Sequence, residues 1–187
     1  MDATAQTRTV AVLETSTPNK GVSFRIKGGR LFCMGQQFFI DREETDNEPW
    51  RLTCLVNALP KRSFRFCGRK ALLLVCGEVT VVQGRTRVHF HCAASQELRA
   101  AIQAERSLIL NPTHTRMGNS GTIKAWRRFL SKGDRVYLSA SNWGVAGSRK
   151  QRPSPTLHSL WHGGRCKEPF YKLECVCFSY QEWVLPG

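Results

Sequence analysis

The stretch "ALLLVCGEVTVV", Ala71–Val82, is the longest apolar run of the chain, and its reading decides the fold. It is rich in β-branched residues and carries one charge, Glu78. Such a segment predicts a central β-strand. It is too short to cross a bilayer as a helix. A lone acid in an apolar strand reads either as a buried functional acid or, more often, as a residue on the wet face of a sheet.

The neighbours of this run extend the β reading. Downstream, "QG" turns the chain and "RTRVHFHCAA" (85–94) returns with period two. Upstream, "NALPKRSFRFCGRK" (57–70) holds Lys61, Arg62, Arg65, Arg69 and Lys70, with Phe64 and Phe66 between them and no acid. It reads as an irregular or helical connector. "WRLTCLV" (50–56) reads as a strand, and "DREETDNEP" (41–49) as an acidic loop. "TVAVLE" and "GVSFRIKGGRLFCM" alternate, the second broken by Gly28-Gly29, a turn or bulge signal.

The second half has a different rhythm. Ser95 caps a predicted helix over 95–106 with Leu98, Ala101 and Ile102 on one face. "SLILN" is a short strand stopped by Pro112. Ile123, Trp126 and Leu130 at helical spacing predict a second helix over 122–131 and assign Trp126 to the core. "KGDRVYLSASNWG" (132–144) is a turn followed by a strand, with Val136, Leu138 and Ala140 inward and Arg135, Tyr137 and Ser139 outward. Residues 144–156 form a basic Gly/Ser/Pro loop, and 170–186 a long closing strand.

Charge points to the partner. The 187 residues carry 28 Lys+Arg against 14 Asp+Glu, a net +14, which predicts attraction to polyanions, most often nucleic acid. Both halves share the excess, with 14 basic residues against 8 acids in 1–94 and 14 against 6 in 95–187. Eight cysteines sit mostly in apolar strand-like runs with no disulfide spacing, which implies a reducing intracellular compartment, whether mitochondrial matrix, nucleus or cytoplasm. The opening "MDATAQTRTV" does not read as a presequence.

Candidate site residues follow. Lys124, Arg127, Arg128, Lys132, Arg135, Arg149, Lys150 and Arg152 surround Tyr137 and Trp143 with one acid, Asp134. Cations that track phosphates and rings that stack on bases are the means by which single strands are held. The cluster Lys61, Arg62, Arg65, Arg69 is a second candidate phosphate surface. His158, His162 and Cys166 at intervals of four are weak zinc candidates, without a CxxC pair to support them. His89 and His91 are no stronger. No cofactor motif is present: neither a phosphate-binding Gly loop nor HExxH or GxSxG. Acids are too few on structured elements for a metal-dependent nuclease. The chain is therefore expected not to be an enzyme.

"EPWRLTCLV" followed by "CGRKALLLVCGEV" resembles the strand, basic-Gly turn and strand of bacterial and mitochondrial single-stranded DNA-binding proteins. "LSKGDRVYLSA" resembles the same turn and strand again, and "YKLECVCFSY" the family's last strand. The resemblance implies a mainly β chain built on the OB-fold Greek-key barrel, with strands at 8–14, 22–33, 50–56, 71–82 and 86–94 and short helices added. It implies an OB-like domain over 8–94 and a second, partial or degenerate copy over 95–187. It also gives Trp50 a base-stacking role. Similar OB proteins serve as accessory subunits of kinetoplastid mitochondrial RNA-editing and other ribonucleoprotein complexes. The expected function is thus non-catalytic binding of single-stranded nucleic acid, RNA slightly before DNA, with protein partners in a larger complex. Its alternative is a structural subunit that binds partner proteins through the OB fold. No membrane and no small-molecule substrate are expected.

Overall fold

The computed structural model describes residues 10–17, 20–27, 30–113, 120–141, 158–174 and 179–187. Strands β1 (Val10–Thr17), β2 (Lys20–Lys27) and β3 (Arg30–Gln36) form an antiparallel meander. Two helices follow, α1 (Arg42–Asn47) and α2 (Trp50–Arg62), then the hairpin β4 (Ser63–Phe66) and β5 (Arg69–Leu73). A 3-10 turn (Cys76–Val81) leads to the short pair β6 (Val82–Gln83) and β7 (His89–Phe90). Then come α3 (Gln96–Gln103), β8 (Ser107–Thr113), α4 (Ser120–Leu130) and β9 (Val136–Ser141). The chain ends in β10 (Ser159–His162), β11 (Arg165–Lys167), β12 (Tyr171–Glu174) and β13 (Ser179–Glu182).

The centre is a six-stranded mixed sheet in the order β11-β10-β9-β8-β5-β4. Its three middle strands, β5, β8 and β9, are parallel and are connected through α3 and α4. Parallel strands need such helical crossovers and are buried on both faces. One face packs Leu72, Ile109, Tyr137 and Trp161 against α2, α3 and α4 through Leu55, Leu59, Leu98, Ile102 and Leu130. The other face, Ala71, Leu108, Val136 and Leu160, meets Phe64, Phe66, Trp183 and Leu185, and Leu73 meets Met34 of β3. Leu55, Leu72 and Leu98 are fully buried. Each such side chain contributes about 1.5–3 kcal/mol of transfer free energy.

The helices are explained locally. The Ser95 hydroxyl accepts from the Leu98 amide at 3.1 Å and starts α3. In α4, Ile123 and Leu130 are buried, and the Trp126 indole donates to the Gly84 carbonyl at 2.9 Å. After α4 the chain turns at Gly133, whose φ of +68° favours glycine. These elements and the position of β9 agree with the sequence reading, but the facing of β9 does not: Tyr137 and Ser139 are buried and Ala140 is exposed.

Other expectations are corrected. Residues 50–56 lie in α2, not in a strand: Leu52, Leu55, Leu59 and Arg62 recur at helical spacing and are all buried. The run 71–82 is not one strand. It leaves the sheet after Leu73 and winds into the 3-10 turn. The acidic segment 41–49 contains α1, capped by the Asp41 carboxylate accepting from the Glu44 amide. The closing strand 170–186 divides into the hairpin β12–β13, with 175–178 outside the described residues. The boundary at 94/95 separates β5 from β8, which are hydrogen-bonded neighbours in one sheet. No closed barrel is present among the described residues, because β4 and β11 are open edges and the centre is parallel. The described chain is a strand-rich, mixed-sheet protein with short helices. No helix among the described residues is long and apolar enough to cross a membrane.

Candidate functional site

The carboxyl ends of parallel strands are where open sheets of this kind place ligands. Here β5 runs into Cys76, which has φ +39°, a strained conformation for a residue with a side chain. Gly77 follows because no side chain fits: a Cβ there would overlap the Ile40 carbonyl. Glu78 then turns back under the strand. Its carboxylate accepts from the Phe38 amide at 2.9 Å, from the Val75 amide at 2.8 Å and from the Arg62 guanidinium. Arg62 also donates to the Gln36 carbonyl. Both charged side chains are completely buried. Burial pushes the Glu78 carboxyl above its ordinary range, and Arg62 and the two amides pull it back. All three partners donate, so a proton on Glu78 has no acceptor and the pair is held ionised.

Around Cys76 lies a buried polar network. The thiol packs with Met34, Leu73 and Val75. The Asn111 side-chain amide donates to the Leu74 carbonyl at 2.6 Å and to the Cys76 carbonyl at 3.2 Å. The Tyr137 hydroxyl donates to Asn111 Oδ1 at 2.6 Å. The Arg127 guanidinium lies 5.9 Å from the Tyr137 ring centroid. Burial pushes the Tyr137 phenol above its ordinary range, with Arg127 opposing it. On the next strand the Ser159 hydroxyl meets that of Ser139 at 3.2 Å and accepts from the Trp161 indole at 3.0 Å. The network fixes the main chain at Cys76 and spends its polar groups internally.

A second region is open. Lys124 and Arg128 stand exposed one turn apart on α4, and Lys132 just beyond it. The β10–β11 turn touches this helix end: the Gly164 amide donates to the Ser131 carbonyl at 2.9 Å. Arg165 and Lys167 are exposed at alternate positions of the edge strand β11. Among the described residues, none of these five cations forms an ion pair. Beyond β11, the hairpin β12–β13 exposes Tyr171, Leu173 and Tyr180. The two tyrosine rings are 6.3 Å apart in an edge arrangement. The Trp183 indole donates to the Lys167 carbonyl at 3.1 Å and ties the hairpin to β11.

The residues expected to form one groove are distributed differently. Tyr137 is 1% exposed and cannot stack on a base. Strand β9 is central, so its "outward" face lies under the helices. Arg62, Arg69 and Arg127 are buried. The Arg69 guanidinium donates to the Asp134 and Pro186 carbonyls, each at 2.6 Å. Arg135 is half-buried and donates to the Leu130 and Phe129 carbonyls. Trp50 is 56% exposed, on α2, with the Arg51 guanidinium 5.1 Å from its ring centroid. Lys61 is exposed at the end of α2, and Arg65 is exposed opposite Lys70 on the β4–β5 edge. Trp143, Arg149, Lys150 and Arg152 lie outside the described residues.

The weak metal candidates do not converge. Cys166 pairs with Trp161 and His162 with Arg165, which puts them on opposite faces of β10–β11. His91 is buried, with Nε2 2.7 Å from Asp46 and Nδ1 accepting from the Ala93 amide. Tyr171, Tyr180, Arg165 and Lys167 are exposed here, although the sequence reading does not single them out. The alternation of "YKLECVCFSY" was legible as a strand, but nothing in it says which face is left open. Comparison with protein-family models, with curated proteins and with solved structures finds no match.

Proposed function

We propose that the chain binds single-stranded nucleic acid at the edge of the sheet where the end of α4 meets β11, with Lys124, Arg128 and Lys132 on the helix side and Arg165 and Lys167 on the opposite side of β11. The carrying observation is the set Lys124, Arg128, Lys132, Arg165 and Lys167, all exposed and without an ion pair among the described residues. Cations already neutralised by acids gain little from phosphate; these retain their full charge. Binding releases counterions from the polymer, so affinity falls as salt rises, by about 0.7 of a log unit per log unit of salt for each contact on a single strand. The reading does not need a closed OB barrel, since an open sheet edge and a helix end present the charges. Free cysteines such as Cys33, Cys67, Cys92 and Cys166, all exposed, fit a reducing compartment.

Fluorescence polarisation with single-stranded RNA, single-stranded DNA and duplex at low and moderate salt tests this. Tight binding to a single strand that weakens with salt is expected. An affinity that does not respond to salt overturns it and leaves the rival role, an assembly subunit that binds proteins.

A second reading has its own observation, the backbone strain at Cys76. Strained residues at the carboxyl ends of parallel strands are a recurrent setting for nucleophiles. We propose, as the enzyme-class alternative, that the Cys76 thiol displaces the leaving group of an acyl compound, forming a thioester while the thiol proton passes to the departing group. Mass-spectrometric mapping with a chloroacetamide probe tests it. Labelling at Cys76 faster than at exposed Cys33, Cys67, Cys92 and Cys166 is expected; slower labelling makes Cys76 a packed, inert thiol.

A further inference from the structure

We infer that the exposed face of the hairpin β12–β13 is a base-stacking platform that selects single strands over duplex; the inference rests on the polyanion reading above. Tyr171 and Leu173 alternate on β12, so both point to the same side. Leu173 lies directly opposite Tyr180, which adds the second ring to that side. Tyr171 is 48% exposed, Leu173 38% and Tyr180 48%. Three large apolar groups on a two-stranded hairpin are costly to leave in water unless something covers them.

Several features favour a base over another occupant. The Tyr180 ring is held. The Tyr180 hydroxyl donates to Glu182 Oε1 at 2.6 Å, and the Phe170 amide donates to the Glu182 carbonyl at 3.0 Å. A fixed ring loses little entropy on stacking. The platform also continues the cationic edge. Arg165 and Lys167 precede it in the chain, and the Trp183 indole bond to Lys167 fastens β13 beside β11. A strand whose phosphates lie along β11 therefore has its bases within reach of the hairpin. A protein partner with an apolar patch would gain nothing from that line of positive charge, whereas a polyanion with flat apolar faces uses both. Duplex hides its base faces, so only a single strand gains from the rings. Glu182 is the acid on this face, and its carboxylate is engaged by Tyr180.

The test compares the parent chain with the double variant Tyr171→Leu/Tyr180→Leu, which keeps apolar bulk but removes the π faces. The double variant Tyr171→Phe/Tyr180→Phe keeps the rings. Dissociation constants are measured for an oligothymidine, an oligouridine and a duplex at two salt concentrations, with urea midpoints as the control for folding. Stacking is worth about 1–3 kcal/mol per base, that is, roughly 5- to 150-fold. The leucine variant should lose at least about five-fold for single strands with its salt slope and duplex affinity unchanged. The phenylalanine variant, which keeps the rings but frees Glu182, should lose less than the leucine variant. If the leucine variant binds single strands as the parent does, the platform is wrong and the polyanion reading survives. If the parent binds no polymer in a salt-dependent way, both fail. If the parent is a dimer that the leucine variant converts to a monomer, a second copy covers the face and the platform is wrong.

Discussion

In the parallel centre of the sheet, Arg62, Arg69 and Arg127 are buried, whereas on the β10–β11 flank Arg165 and Lys167 stand in water. The central guanidiniums are consumed by the fold. Arg62 holds the Glu78 turn, and Arg69 gathers the carbonyls of Asp134 and Pro186. The flank has no such work to do. Arg127 and Arg128 make the contrast within one helix: the first is 3% exposed beside Tyr137, and the second is exposed beside the β10–β11 turn. A net charge therefore overstates the surface offered to a polyanion, because part of it stabilises backbone turns.

The largest effect should come from breaking the central pair. Arg62→Met or Glu78→Leu alone leaves a buried unpaired charge and should cost about 3–5 kcal/mol in urea unfolding. The double variant should recover much of that loss. Single variants that cost under about 1 kcal/mol would mean the pair is solvated and does not hold the turn. Next, Tyr137→Phe removes the 2.6 Å bond to Asn111 and should cost about 1–2 kcal/mol. Tyr171→Phe on the flank should stay within about 0.5 kcal/mol. Equal losses at the two tyrosines would erase the distinction between the regions.

Strain at Cys76 gives a smaller and more specific effect. Cys76→Ala keeps a side chain at φ +39°, and Cys76→Gly does not. Both lose the sulfur contacts. The glycine variant should therefore be more stable than the alanine variant by about 1 kcal/mol, the reverse of the usual order. On the flank, replacing Lys124, Arg128 and Arg165 by Gln should leave the urea midpoint unchanged and lower the salt slope for a single strand by about two units. A slope that does not move would show that the phosphates run elsewhere, for instance past Lys61 and Arg65.

These contrasts mark what the sequence could express. The helices at α3 and α4 and the turn before β9 were legible because capping, apolar spacing and Gly133 are local signals. Residues 50–56 were misread because Trp50, Thr53, Cys54 and Val56 favour strands, while the spacing of Leu52, Leu55 and Leu59 favours a helix. Tertiary packing of those leucines against the sheet decided the matter. The break at Cys76 had one visible mark, Gly77, inside a run otherwise uniform enough to pass for a strand. The burial of Tyr137 had none. Alternation means one wet face only in a half-exposed strand, and β9 is covered on both sides because it lies parallel to β8. Which strand is central is a property of the whole sheet and is not encoded near residue 137.

The smallest expected effect concerns acid, and it separates the regions by what surrounds their histidines. Burial and then Arg127 lower the pKa of His158. Burial, then Arg69 and Lys167, lower that of His162, with Asp134 opposing. In the unfolded chain both return to an ordinary value near 6.5. Below that value the unfolded state takes up protons that the folded state refuses, so stability rises with pH and is lost as pH falls from about 6.5 through the folded pKa values. Urea midpoints at pH 7.5, 6.5 and 5.5 should therefore decline toward acid. His158→Gln should flatten the part of the decline set by burial and then Arg127, and His162→Gln the part set by burial and then Arg69 and Lys167. A decline that survives both substitutions would assign it to other groups.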